Sequence, residues 1–152
     1  MLREFLVLSY LSHLNILPRV LAFHLGRREM VLSYLPGERV LEWVLRRYGD
    51  PALDLETFKS VHGLESNPTV DRAFHRFRES QDQESVELKT AIKASYRLLH
   101  GKGFVHGDPS PRNLIFNGRA VYLVDFDHSR PSLDPAAVDF KALRRWYGLE
   151  RD

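Results

Sequence analysis

Apolar positions along the 152-residue chain come in short runs whose spacing separates helices from strands. In residues 3–12, REFLVLSYLS, Phe5 and Leu8 with Leu11 or Tyr10 fall on one side of a helix. That helix is expected to end near His13 to Asn15, ahead of Pro18. RVLAFHL and REMVLSYL follow as two short strands joined through Gly26, with charges at the bend. Pro36-Gly37 punctuates the chain. In ERVLEWVLRRY beyond it, Val40, Leu41, Val44 and Leu45 form the apolar face of a second helix.

Residues 49–84 are polar, with scattered prolines and glycines, and are expected to be an insertion holding one short helix at VDRAFHRF, with Val70, Phe74 and Phe77 on one face. SVELKTAIKASYRLLHGKG predicts a long helix with the stripe Val86, Leu88, Ile92, Tyr96 and Leu99, stopped at Gly101 or Gly103. NLIF and AVYLVDF flank Asn117-Gly118, a pair that tolerates positive φ and so predicts a hairpin. DPAAVDFKALRRWYGL predicts a final helix, with Asp134 as N-cap and Pro135 in the first turn. There is no internal repeat.

Composition narrows the class without naming a function. The chain is 43% apolar and 28% charged, as in an ordinary globular domain long enough to bury a core. Lys plus Arg exceed Asp plus Glu by only 22 − 20 = 2, and the charges are interspersed, so no nucleic-acid partner is expected. With no cysteine, thiolate catalysis, disulfides and cysteine-bound zinc are excluded. Glu4 and His13 interrupt the apolar opening segment and no small-residue cleavage site follows, so export is not expected. No run reaches the roughly 18 apolar residues of a membrane span. An intracellular, cytoplasmic protein with no membrane partner is the expectation.

The chemistry concentrates in HGDPSPRNLIF, residues 106–116, and in the strand after it. A hairpin centred on Asn117-Gly118 folds Asp125 back toward Asn113, so that two carboxylates (Asp108 and Asp125) and one amide face a common space. Oxygen ligands of this kind suit Mg²⁺, which takes one or two carboxylates together with phosphate oxygens and water. A cation held there neutralises a transferring phosphoryl group while the remaining aspartate orients an incoming hydroxyl. The residues alone leave alternatives open. His106 is a proton shuttle or a packed structural histidine, Asn113 a ligand or a turn cap, and Asp127 and His128 metal ligands or surface groups. A metal-dependent hydrolase or a glycosyltransferase using His106, Asp108, Asp125, Asp127 and His128 is a further alternative.

H-G-D-x-x-x-x-N followed by an apolar residue, V-D-F, resembles the catalytic loop and metal-binding motif of the protein-kinase-like superfamily. LLHGKGFVHGD is similar to the helix entering that loop, and LSHLNILPRV to the segment after the regulatory helix. MVLSYLPGERVLEWVL is similar to the last N-lobe strand, the hinge and the first C-lobe helix. The resemblance implies an α+β, protein-kinase-like fold: a residual N-lobe and hinge over residues 1–36 (a partial regulatory helix plus two strands) and a mainly helical C-lobe over 37–152, carrying the catalytic-loop hairpin and the polar insertion at 49–84. It implies Mg-ATP as donor and a hydroxyl of a protein or small molecule as acceptor. Asp108 matches the catalytic base, and Asn113 and Asp125 the ligands of the metal and nucleotide. His106 and Phe126 match packing positions, and Asp139 a buried helix aspartate that braces the loop backbone. Glu4 matches the regulatory-helix glutamate, or is an ordinary solvated helix residue.

Several positions depart from the family pattern. Gly107 stands where many kinases have an arginine that reads activation-loop phosphorylation, and such HGD loops resemble those of small-molecule phosphotransferases and small atypical kinases. Ser110 stands at the position of a phosphate-contacting lysine, a charge that Arg112 is expected to supply instead. Residues 126–138 hold no A-P-E element, so the usual peptide platform is not expected. On this reading the chain begins inside the regulatory helix, without the glycine-rich loop or the strand lysine, and ends just after the Asp139 helix. A catalytically impaired pseudokinase, or a truncated fragment acting as an interaction module, is therefore the alternative expectation.

Overall fold

The computed structural model describes residues 1–51 and 67–151. Helix α1 (Leu2–Tyr10) leads to the hairpin β1 (Val20–His24) and β2 (Glu29–Leu32). Then come β3 (Glu38–Arg39), α2 (Val40–Tyr48), α3 (Pro68–Glu79) and α4 (Gln83–His100). The remainder is β4 (Phe104–Val105), a 3₁₀ turn (Pro111–Asn113), β5 (Leu114–Phe116), β6 (Val121–Leu123), β7 (Arg130–Pro131) and α5 (Pro135–Tyr147). The architecture is mixed α+β with short antiparallel strands, as expected. Among the described residues no helix is long and apolar enough to cross a membrane.

Local chemistry starts and stops these elements. The Asn67 side chain accepts from the N–H groups of Thr69 (3.0 Å) and Val70 (3.3 Å), and Pro68 occupies the first turn of α3. Asp82 caps α4 through Ser85 N–H (2.8 Å), and Asp134 caps α5 through Ala137 N–H (3.1 Å). α5 ends at Gly148, whose φ of 67° is the left-handed cap that glycine adopts most readily. The cap at Asn67 makes α3 a twelve-residue helix (12 residues) rather than the short one expected. Its stripe of Val70, Ala73, Phe74 and Phe77 lies in the core. The rest of the expected insertion, residues 52–66, lies outside the described residues.

The core gathers around aromatic rings on three helices. Phe74 of α3 meets Trp146 of α5 with ring centroids 5.0 Å apart, and Phe77 meets Trp43 (6.2 Å) and Tyr48 (5.6 Å) of α2. Trp43 in turn packs edge-on to Phe116 of β5 (5.9 Å), which couples the helices to the sheet. α4 buries Leu88, Ile92, Tyr96 and Leu99 of its expected stripe, but Val86 at its N-terminal end is 44% exposed. In α1, Val7 and Leu8 are buried and Phe5 stacks on Phe23 of β1, whereas Tyr10 points outward at 67% exposure.

The sheet that carries the site runs β3-β5-β6. Arg39 of β3 stands opposite Ile115, and Leu114 opposite Leu123. Gly37 enters this sheet at φ 132°, with its Cα so close to β5 that a Cβ would sit 2.5 Å from the Phe116 carbonyl oxygen. This close approach is why a glycine ends the Pro36-Gly37 break. Asn117 organises the β5–β6 turn by accepting from Arg119 N–H (2.9 Å) and Ala120 N–H (2.8 Å). The segment after α1 joins the other edge through Leu123 N–H donating to Ile16 O (2.8 Å).

Candidate active site

Helix α5 reaches the loop through one buried carboxylate. Asp139 is 1% exposed, and its Oδ2 accepts from His106 N–H (2.9 Å) and from His100 Nε2 (2.9 Å). Its Oδ1 accepts from Gly107 N–H (3.0 Å). Burial alone raises the carboxyl's pKa, but the hydrogen bonds from His100, His106 and Gly107 together hold it below the ordinary value. The loop backbone is thus braced as expected for Asp139.

His106 is fully buried, and both ring nitrogens are engaged. Nε2 donates to Val124 O (3.0 Å), and Nδ1 accepts from Asp108 N–H (3.3 Å). That partner set requires the neutral ring, and burial accordingly lowers its pKa. His106 therefore pins the loop to the strand end preceding Asp125, with Phe126 packed at 4.8 Å. No ring nitrogen is left for a metal, which disposes of the metal-ligand role for His106.

Gly107 and Tyr147 complete the brace. Gly107 has φ 87°, and a Cβ there would lie 2.5 Å from the His128 carbonyl oxygen. A side chain at this position would collide with backbone, which gives the glycine a local steric reason. Tyr147, buried at the end of α5, donates its hydroxyl to Pro109 O (3.0 Å). Nothing in the sequence pattern distinguishes Tyr147 from any other apolar-stripe residue.

Within this frame the expected polar residues come together. Asn113 Nδ2 donates to the Asp108 carbonyl oxygen (3.1 Å) and to Asp108 Oδ2 (2.9 Å). The amide nitrogen is committed to Asp108, which leaves Asn113 Oδ1 as the atom suited to a cation. Val124 N–H donates to Asn113 O (2.9 Å), so the hairpin returns the chain to Asn113 one residue before Asp125. Asp125 is exposed and turns at φ 63°, a left-handed conformation uncommon outside glycine, in which strained site residues are often found. One exposed carboxylate and one amide oxygen are the hard, sparse donor set that fits Mg²⁺. Among the described residues no three His, Cys, Asp or Glu side chains are grouped to hold a metal by themselves.

The remaining candidates sit around the loop. Arg112 is half-buried on the 3₁₀ turn, and its carbonyl accepts from Arg39 Nη1 (3.3 Å). Glu4 of α1 is half-buried and is paired with no lysine among the described residues. Its Oε1 accepts from Phe126 N–H (3.4 Å). Burial raises its pKa, and the nearby Asp127 and Asp125 push in the same direction. Asp127 is exposed and pairs with the Met1 amino group, and His128 is exposed with its carbonyl over Gly107. Sequence reasoning missed Gly107's steric role, Tyr147 and Arg39.

The sequence model of the APH family, described as the phosphotransferase enzyme family, matches residues 1–150. A stretch of 65 residues is 35% identical to the lipopolysaccharide core heptose(II) kinase WaaY of Escherichia coli (strain K12). That stretch is 43% of this chain and 28% of the relative, so it spans under a third of the relative's length.

Proposed function

The chain belongs to the phosphotransferase enzyme family, whose members have a protein-kinase-like fold, and we propose that it transfers the γ-phosphoryl group of Mg-ATP to a hydroxyl of a small, sugar-like acceptor. The observation that carries this reading is the Asn113 Nδ2 to Asp108 Oδ2 hydrogen bond of 2.9 Å, in a loop braced by Asp139. Asn113 occupies Oδ2, so Oδ1 of Asp108 is the oxygen that takes the acceptor's proton. As that proton moves to Oδ1, the acceptor oxygen bonds to the γ-phosphorus and the bond to the β–γ bridging oxygen breaks, releasing ADP. Asn113 Oδ1 and the Asp125 carboxylate would hold the Mg²⁺, which would neutralise phosphate charge when bound. Arg112 supplies a further positive charge at the loop. Glu4, on the Phe126 N–H, positions the turn that presents Asp125.

The sugar-like acceptor follows from the name of the heptose kinase relative, and from the Gly107 position, which has no arginine to read a phosphorylated segment. The test is Mg²⁺-dependent ATP turnover by the purified chain, with Asp108→Asn and Asp125→Ala beside it. Turnover should be lost in both variants. A wild-type rate no greater than theirs sinks the catalytic reading and leaves a nucleotide-binding or interaction module.

A further inference from the structure

Helix α1 carries more apolar surface than the core takes from it. Val7 and Leu8 are buried, whereas Leu2, Leu6 and Tyr10, spaced four apart, form a second stripe that is at least half exposed. With Phe104 of β4 and Pro131 of β7 this stripe lines an open groove of about 770 Å³. Tyr10 leans on Phe104 with ring centroids 5.5 Å apart. Beyond Pro131 the chain runs to Leu133, a fully exposed leucine. Ser132 N–H donates to Gly103 O (2.8 Å), which sets the Lys102 loop beside that of Leu133. Contiguous apolar surface of this kind marks a place where something binds.

The charges around the groove are of one sign. Arg3 and Arg130 line it, and no carboxylate does. Arg3, Lys102 and Arg130 are exposed, and their side chains have no hydrogen-bond or ion-pair partner among the described residues. The carboxylates near them in the chain are already matched. Glu4 accepts from Phe126 N–H, Asp127 pairs with the Met1 amino group, and Asp134 pairs with Arg151. The face therefore suits an occupant that is apolar within and anionic at its edge. A protein partner needs a socket shaped for Leu133 and a counter-charge opposite Lys102, and lysine is depleted at such interfaces. A lipid bilayer needs no socket. Its acyl boundary takes protruding apolar side chains, and its phosphates match the cations beside them.

We propose that this face docks on an anionic lipid bilayer. Leu2, Leu6, Tyr10 and Leu133 enter the boundary between headgroups and acyl chains, and Arg3, Lys102 and Arg130 pair with lipid phosphates. Tyr10 suits that depth, with an apolar ring and a polar tip. The contact is with the membrane surface, since no helix among the described residues is long and apolar enough to span it. It stands on this face alone, whether or not Asp108 is a catalytic base.

The test is co-sedimentation of the full chain with vesicles of phosphatidylcholine, neutral, or of phosphatidylcholine and phosphatidylglycerol at about 2:1, whose negative surface attracts basic residues. Binding to the anionic vesicles should be at least about tenfold tighter than to the neutral ones. Arg3→Gln, Lys102→Gln and Arg130→Gln should each weaken it about fivefold. Leu133→Ser removes a side chain that the fold does not bury, so its thermal melt should match wild type while vesicle binding falls at least about fivefold. Leu98→Ser, at an exposed leucine of α4 that does not line the groove, should leave binding unchanged. Soluble glycerol phosphate should not displace the protein, because it lacks acyl chains. The proposal is overturned by no binding to either vesicle, or by equal affinity for both. It is equally overturned by a loss in Leu98→Ser as large as in Leu133→Ser, by binding that survives all four other substitutions, or by displacement with glycerol phosphate.

Discussion

The loop that carries Asp108 and the N-terminal layer of α1, β1 and β2 meet at one turn, Asp125-Phe126, but they are held there by different means. The loop is tied from behind by buried groups: Asp139 on two backbone N–H groups, His106 on Val124 O, and Tyr147 on Pro109 O. The layer over it is lighter. α1 reaches the turn through a half-buried Glu4 at 3.4 Å from Phe126 N, and the segment after α1 adds one hydrogen bond to β6. The same layer leaves Leu2, Leu6, Tyr10, Leu21 and Leu25 exposed. Polar ties in a low-dielectric interior are strong and costly to break, whereas contacts at a wet edge are weak and adjustable. The Asp108 loop is thus preorganised by the core, while the Asp125-Phe126 turn can be tuned from the layer above.

The sharpest way to break this contrast is to remove the brace. Asp139→Ala strands the N–H groups of His106 and Gly107 in the interior and should destabilise the fold by about 2–5 kcal/mol in chemical denaturation. A loss below about 1 kcal/mol would mean that the loop holds itself.

A smaller effect is expected from pH. Burial depresses the pKa of His106 below the ordinary imidazole value of 6.5, so the unfolded chain binds a proton that the folded chain refuses. Stability contributed by neutral His106 is therefore present above 6.5 and falls as pH drops below it. The slope of stability against pH between about 7 and 5 should flatten in His106→Gln, measured relative to that variant's own stability at neutral pH. An unchanged slope would contradict a neutral, pinned imidazole.

The smallest stability change belongs to the layer. Glu4→Gln keeps an acceptor for Phe126 N–H and should cost less than about 1 kcal/mol. Its effect should fall on Mg²⁺-dependent turnover instead. Destabilisation comparable to that of Asp139→Ala would erase the distinction between the two regions.

Much of this frame was legible in the residues. The periodic runs located α1, α2 and α4, the Asp134-Pro135 start located α5, and the Asn117-Gly118 pair located the β5–β6 hairpin that returns the chain to Asn113. The resemblance to the kinase-like motif pointed to the brace by Asp139 and the packed role of His106. What escaped was long-range or conformational. α3 looked shorter than it is because Asn67-Pro68 is a helix start whose strength depends on the aromatic partners Trp43 and Trp146, far away in sequence. Gly107 looked like a missing arginine because the His128 carbonyl that forbids a side chain is brought there only by the tertiary fold. Tyr147 and Arg39 carry no local signal at all, since each acts through one hydrogen bond to a distant carbonyl.

Single-turnover phosphoryl transfer at saturating Mg-ATP, comparing wild type with Asp108→Asn, tests most directly whether this preorganised carboxylate does chemistry. The variant keeps a side-chain oxygen and is expected to fold as wild type does. Its transfer rate should fall about 100- to 10,000-fold while Mg-ATP affinity is retained. Equal rates in the two proteins would contradict the assignment of Asp108 as the base.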